Sequence, residues 1–118
     1  MKAAILGAGE AHFGAHLQTL QVLPEVESIQ VWGDNAEALA ALEGETKVDG
    51  LFSDVDDLLA QKDIFFAIAS VRSDIKPALF SRLLDAGIHL MAEKPMGTST
   101  EAVAELVEKA EAAGLALG

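Results

Sequence analysis

Small and acidic residues follow two apolar runs of this sequence with a spacing that could serve chemistry. Gly7 and Gly9 come directly after the run Lys2–Leu6 and precede a helical pattern. Such a glycine pair allows a tight turn in which backbone N–H groups approach a pyrophosphate at the start of the helix. Asp34 follows the next apolar run, near the place where the dinucleotide-binding pattern puts an acid for the ribose hydroxyls. The spacing therefore predicts a phosphate- and ribose-binding turn.

The third glycine of the pattern G-x-G-x-x-G is missing, because His12 stands at its position. That glycine lets the helix pack closely against the strand, so His12 predicts a slightly displaced helix. Gly14 follows shortly after, and we expect it to compensate in part. The candidate cofactor-binding residues of this turn are Gly7, Ala8, Gly9, Glu10, Ala11 and His12.

The run Glu93-Lys94-Pro95 places an acid and a base at the end of an apolar strand, in a chain with only eight lysines and arginines. Strand ends are solvent exposed, so the charged pair could be surface decoration. A functional interpretation is favoured because Pro95 fixes the backbone directly after Lys94. A lysine held there can polarise a carbonyl or orient a hydroxyl beside a nicotinamide, which makes Lys94 the candidate catalytic residue.

The elements that must position these residues alternate between short apolar runs and longer helical patterns. The predicted strands are Lys2–Leu6, Ser28–Trp32, Val48–Phe52, Ile64–Ala69, Ile88–Ala92 and Leu115–Leu117. The predicted helices are Ala11–Leu23, Ala36–Glu43, a helix capped by Ser53 that runs through Leu59, Ile75–Ala86, and a last helix with a Thr98–Glu101 capping box and Gly114 at its end. Such alternation favours right-handed crossovers. The predicted fold is α/β, a doubly wound parallel sheet (Rossmann fold) of about six strands with helices on both faces.

Ligands bind such a sheet beyond the carboxyl ends of its strands. The second strand brings Asp34 and Asn35 to this edge, and the fourth brings Ala69 and Ser70. An acid or amide after a strand is often a helix cap, and either Asp34 or Asn35 could serve as one. Asp34 would repel a 2′-phosphate, while Asn35 and Ala36 offer it no cation. The predicted cofactor is therefore NAD, with NADP disfavoured.

Composition excludes several classes of partner. The formal net charge is −11, with nineteen acids against eight cations, so no basic face exists for nucleic acid or an anionic membrane. No apolar run approaches the ~18 residues of a membrane span. The chain has no cysteine, which fits the cytosol, and a cytoplasmic location is expected. His12 and His16 are one helical turn apart, but a lone pair at that spacing, without supporting carboxylates, is more often a surface or packing feature than a metal site, so no metal site is predicted.

With these residues placed, the chain resembles the N-terminal half of the Gfo/Idh/MocA oxidoreductases. The resemblance covers the segments AAILGAGEAH, SDVDDLLAQKDIFFAIAS and LLDAGIHLMAEKPMGTSTEAVAELVEKAEAAG. Its most specific piece is Ala-Gly-x-His-x-x-x-Glu-Lys-Pro, over Ala86–Pro95. It implies that Lys94 touches the reactive end of cofactor and substrate, and that His89 is mostly structural. The family often has a proline and then a histidine after the fourth strand, where this chain has Val71 and Ile75.

Members of that family continue into a second α/β domain that forms the substrate site and supplies a catalytic histidine. We expect that domain to be absent here, so residues 1–118 would form the NAD(P)-binding domain of an oxidoreductase for a sugar, polyol or related hydroxyl or carbonyl substrate. Alone, the chain would bind the dinucleotide without turnover, and its uncovered apolar surface could drive homo-oligomer formation. Two alternatives stay open: a stand-alone nucleotide-binding or sensing module, and a structural protein that keeps the fold without the ligand.

Overall fold

The computed structural model describes residues 1–72, 74–92 and 100–118. In chain order its elements are β1 (Lys2–Leu6), α1 (Phe13–Val22), β2 (Ser28–Trp32), α2 (Ala36–Ala40), β3 (Val48–Phe52), α3 (Val55–Leu59), β4 (Ile64–Ala69), α4 (Lys76–Asp85), β5 (His89–Ala92) and α5 (Thr100–Ala113). The strands form one sheet in the order β3-β2-β1-β4-β5, and all neighbours are parallel. The predicted doubly wound α/β fold is confirmed.

The sheet of the described residues has five strands rather than the predicted six. Leu115–Leu117 lies beside β5 but makes only an isolated parallel bridge between Leu90 and Leu117. The N–H of Leu90 donates to the carbonyl oxygen of Ala116 at 3.0 Å, and the N–H of Gly118 donates to that of Leu90 at 2.9 Å. A strand requires a ladder of consecutive pairs, so the prediction of a sixth strand was wrong.

Both faces of the sheet are covered, as a strand without polar residues requires. Residues Ala3–Leu6 of β1 are fully buried, and their side chains alternate between two apolar layers. Helices α1 and α2 cover one face, with Phe13, Leu17, Leu20 and Leu39 buried against the sheet. Helices α3, α4 and α5 cover the other, with Leu58, Phe80, Leu83 and Leu106 buried. This packing holds β1 between β2 and β4, so the ends of all three strands meet at one edge.

Two helix starts differ from the prediction for local reasons. Helix α1 begins at Phe13 instead of Ala11, because His12 has a left-handed φ of 69° and cannot belong to the helix. Helix α3 is capped by Asp54, whose carboxylate accepts a hydrogen bond from the N–H of Asp56 at 2.8 Å, so the assignment of Ser53 as the cap was wrong. The predicted cap Thr98 lies outside the described residues.

None of the helices in the described part of the chain combines the length and the apolar content needed to cross a bilayer.

Candidate functional site

The turn after β1 is built around Gly7, which joins the ends of three strands. Gly7 has a φ of +115°, and a Cβ atom there would lie 1.9 Å from the carbonyl oxygen of Ser70. Its N–H donates to the carbonyl oxygen of Trp32 at 2.9 Å, and the N–H of Ser70 donates to that of Leu6 at 2.9 Å. No side chain fits between the backbone of the turn and that of Ser70, so the fold requires glycine at position 7.

The turn then presents backbone donors at the start of α1. Gly9 also has a positive φ, of 91°. The N–H groups of Gly9 and Ala11 have no acceptor among the described residues. The Ser70 hydroxyl donates to the carbonyl oxygen of Ala11 at 2.7 Å and ties the turn to the end of β4. Free N–H groups before a helix N-terminus are the donors that a phosphate group requires, so the residues present fit a pyrophosphate.

The turn after β1 packs closely against another part of the backbone at Gly33 rather than at the predicted Gly14. Gly14 is exposed, and no heavy atom of the described residues lies within 4 Å of the position of its Cβ. The expectation that Gly14 compensates for His12 was therefore wrong. At Gly33, directly after β2, a Cβ would lie 2.7 Å from that of Ala8. Gly33 was not assigned from the sequence, although a glycine directly after a strand is a signal of close backbone approach.

Asp34 and Asn35 have separate roles after β2. The Asn35 side chain caps α2, because its Oδ1 accepts a hydrogen bond from the N–H of Ala38 at 3.1 Å. The Asp34 carboxylate is directed elsewhere, with Oδ2 lying 2.9 Å from Nη1 of Arg72. Nε of Arg72 lies 3.4 Å from Oδ1 of Asp74. The negative charges of Asp34 and then of Asp74 raise the pKa of Arg72, so the guanidinium stays charged.

Arg72 also lies at this edge of the sheet, and its ion-pair partner cannot be predicted from the sequence. Its place after β4 is readable from the chain order, but its pairing with Asp34 spans 38 positions. The two side chains meet because β2 and β4 lie on either side of β1 in the sheet.

A cavity of about 410 Å³ opens beside this ion pair, between the ends of β2 and β4 and helices α3 and α4. Trp32, Val55 and Leu79 form apolar parts of its wall, and Asp34, Arg72 and Arg82 give it charged groups. The indole N–H of Trp32 donates to the carbonyl oxygen of Ser53 at 3.2 Å, which fixes the ring. Such a volume, with apolar walls and a few polar groups, is typical of small-molecule sites.

The remaining candidate residues are placed as follows. Ala69 pairs with Leu6 at the end of β4 and is fully buried. Glu10 is exposed on the glycine turn. Glu93, Lys94 and Pro95 lie outside the described residues. No cluster of three or more His, Asp or Glu side chains able to hold a metal ion occurs in residues 1–72, 74–92 and 100–118.

His89 has a structural role in the fold. Its Nδ1 accepts a hydrogen bond from the N–H of Ala116 at 2.9 Å. The centre of its ring lies 4.8 Å from that of Phe65. The hydrogen bond fixes the segment that follows α5 beside β5, and the ring contact joins β5 to β4.

Comparisons with known proteins identify the family of this chain. Residues 1–118 match the Gfo/Idh/MocA family, described as an oxidoreductase family with an NAD-binding Rossmann fold. The uncharacterized oxidoreductase C115.03 of Schizosaccharomyces pombe is 27% identical over 119 residues, which cover 99% of this chain and 32% of that protein. The chain thus spans about a third of the length of the curated relatives it matches.

Two solved structures share the fold. GenD2 from gentamicin A biosynthesis, in complex with NAD, has a TM-score of 0.91 at 21% identity and matches 100% of this chain and 33% of its own. KijD10, a 3-ketoreductase from Actinomadura kijaniata in complex with TDP-benzene and NADP, has a TM-score of 0.87 at 20% identity and matches 99% of this chain and 37% of its own. These neighbours hold different cofactors, so they do not decide between NAD and NADP. The family match extends over the whole chain, and the protein therefore belongs to the Gfo/Idh/MocA oxidoreductases, as an NAD-binding Rossmann domain of that family.

Proposed function

We propose that this chain holds the dinucleotide for an NAD(P)-dependent oxidoreductase acting on a sugar, polyol or related hydroxyl or carbonyl substrate. The observation that carries the proposal is the joining of the glycine turn to the neighbouring strand ends. Gly7 packs directly on the backbone of Ser70 and donates to the carbonyl oxygen of Trp32, the last residue of β2, which Asp34 follows closely. The bound cofactor would supply the hydride chemistry, and this chain would bind and orient it.

Each part of the dinucleotide has candidate partners at this edge. The turn Gly7–His12 would hold the pyrophosphate through the N–H groups of Gly9 and Ala11. Asp34 would accept hydrogen bonds from the ribose hydroxyls, and Asn35 would keep that segment in place by capping α2. The apolar wall around Trp32 would take the base. Ala69 and Ser70, whose hydroxyl ties the turn to β4, would support the site from beneath.

A structural neighbour supports the proposed substrate class. KijD10 is a 3-ketoreductase, so its substrate is a carbonyl or the corresponding hydroxyl. Curated relatives are about three times as long as this chain, which supports a substrate site built largely outside it. We therefore propose that turnover requires a second domain. The absence of cysteine supports a cytoplasmic location.

Titration with NADH and NADPH tests the proposal directly. Trp32 is the only tryptophan of the chain and lines the cavity beside Asp34, so we expect saturable quenching of its fluorescence by NADH, with weaker binding of NADPH. Asp34→Ala should weaken NADH binding about tenfold, since hydrogen bonds to a charged group are lost, and should not weaken NADPH binding, because the carboxylate repels a 2′-phosphate. Asp49→Ala, which removes an exposed acid outside the cavity, is the matched control.

Several results would count against this view. Equal losses for both cofactors in Asp34→Ala, or a wild-type preference for NADPH, would exclude Asp34 as the residue that sets the preference for NAD(H). A chain that binds neither cofactor would support the structural alternative, in which the fold is kept without the ligand.

Lys94 is proposed to act at the nicotinamide end, and its replacement separates a catalytic from a structural role. Lys94→Ala should leave the melting temperature of this chain unchanged and reduce NADH affinity by less than about threefold. The same change at the Glu-Lys-Pro lysine of a two-domain relative should lower turnover about 100-fold, as expected for a group that assists proton transfer. Lys62→Ala, an exposed lysine at the opposite edge of the sheet, serves as the control. A clear fall in melting temperature for Lys94→Ala alone would identify Lys94 as structural.

A further inference from the structure

The sequence next to Asp34 contains no cation, but the fold brings one from another strand. Nη1 of Arg72 lies 2.9 Å from Oδ2 of Asp34. A ribose whose hydroxyls bind Asp34 would place its 2′ position within reach of the same guanidinium. Arg72 is therefore a charged group beside the expected ribose position that the sequence around Asp34 does not show.

Arg72 is able to take a ligand at this position. Its side chain is 53% exposed and that of Asp34 is 48% exposed, so neither is sealed by the fold. Its contacts with Asp34 and Asp74 use Nη1 and Nε, and a guanidinium carries five N–H donors in a fork that suits phosphate oxygens. The Asp74 contact keeps the arginine at the rim of the cavity when the Asp34 contact is given up.

We propose that Arg72 is a specificity-determining residue of the cofactor site, paired with Asp34 when NAD(H) is bound and with the 2′-phosphate when NADP(H) is bound. The site then prefers NAD(H) and still accepts NADP(H). This inference rests on the proposed function, because it assumes that the dinucleotide binds at this edge.

The balance of charges explains both parts of the proposal. An exposed ion pair contributes about 0–1 kcal/mol to stability, so exchanging Asp34 for a phosphate has a small penalty. A 2′-phosphate would nevertheless face two carboxylates, Asp34 and Asp74, with a single arginine between them. The preference for NAD(H) is therefore retained, and the residual affinity for NADP(H) depends on Arg72.

The test compares dissociation constants for NADH and NADPH, measured by Trp32 fluorescence and checked by calorimetry. Arg72→Gln should weaken NADPH binding at least about tenfold and NADH binding less than about threefold. Arg72→Lys, which keeps the charge but loses the fork, should give an intermediate value for NADPH. Arg82→Gln is the electrostatic control, because it removes the same charge from the same cavity at an arginine paired with Asp56. It should weaken NADPH binding less than Arg72→Gln does.

A double-mutant cycle sharpens the result. Asp34→Ala releases Arg72 and should tighten NADPH binding, and the gain should disappear in the double variant Asp34→Ala with Arg72→Gln. Equal losses of NADH and NADPH in Arg72→Gln, equal effects of the two arginine variants, or no NADPH binding by the wild type would each overturn the proposal while leaving the cofactor site intact. Failure of the wild type to bind NADH would instead remove the proposed function itself. Melting curves should be recorded for every variant, so that a change in binding caused by misfolding is recognised.

Discussion

Gly7→Ala should destabilise this domain by more than about 3 kcal/mol and abolish NADH binding. The added Cβ would lie 1.9 Å from the carbonyl oxygen of Ser70, at a φ of +115°. That oxygen belongs to backbone whose N–H is bonded to Leu6 at 2.9 Å, so it cannot move without opening the sheet. Small domains have only about 5–15 kcal/mol of net stability. We therefore expect a large fall in the melting temperature, measured by circular dichroism.

Two other glycines separate the clash from the backbone conformation. Gly44 has a φ of +83°, but no heavy atom of the described residues lies within 4 Å of its Cβ position. Gly44→Ala should therefore show only the conformational penalty of about 1–2 kcal/mol. Gly14→Ala places a methyl group in open space on α1 and should stabilise the helix by about 0.5–1 kcal/mol. A loss for Gly7→Ala no larger than that for Gly44→Ala would contradict the role of the Ser70 contact.

The sheet was predictable because its signals are local. An apolar run such as Ile64–Ala69, with no polar residue in it, predicts burial on both faces, and the structure places it next to the central strand β1, with Phe65 as its exposed residue. Leu115–Leu117 carries the same kind of signal, but the run is too short for its composition to specify a ladder of pairs. The pattern thus predicts which strands are central better than it predicts which segments pair at the edge.

The helix caps show a second limit of prediction from sequence, because neighbouring residues of similar chemistry compete for the same cap position. Serine and aspartate side chains can both accept hydrogen bonds at a helix start, and in the structure Asp54 rather than Ser53 is the cap. Asp34 and Asn35 compete in the same way after β2, and the structure uses Asn35 as the cap. The selection of Asn35 leaves the Asp34 carboxylate available to a ligand or to Arg72.

Contacts between residues that are distant in the sequence set a third limit on what the sequence predicts. The glycine turn was identified from its spacing, but the clash that requires Gly7 involves Ser70, and the partner of Asp34 is Arg72. Both partners follow β4 and reach the turn only because β4 lies beside β1. Strand order, which the sequence pattern does not specify, therefore determines the electrostatics of the site.

The 118-residue chain should bind NADH and yet turn over no substrate. Oxidation of a hydroxyl needs a substrate carbon held against the cofactor and a side chain positioned to take the hydroxyl proton. Among the described histidines, His12 and His16 lie at or in α1, and His89 accepts a hydrogen bond from the N–H of Ala116. Lys94 is the candidate at the reactive end, but the chain spans only about a third of the length of its relatives, which leaves little protein to enclose a substrate.

The measurement is a panel of sugars, polyols and hydroxy acids with NAD, followed at the absorbance of NADH after binding has been shown by Trp32 fluorescence. A two-domain inositol dehydrogenase, assayed with myo-inositol, is the positive control. Size-exclusion chromatography on the same samples records whether the chain associates, because a second copy could cover the surface that a substrate domain covers in a longer protein. Turnover of any substrate on the panel, above the rate without protein, would show that the chain completes its own site. The proton acceptor would then have to be found among the residues of this chain, with Lys94→Ala as the first variant to test.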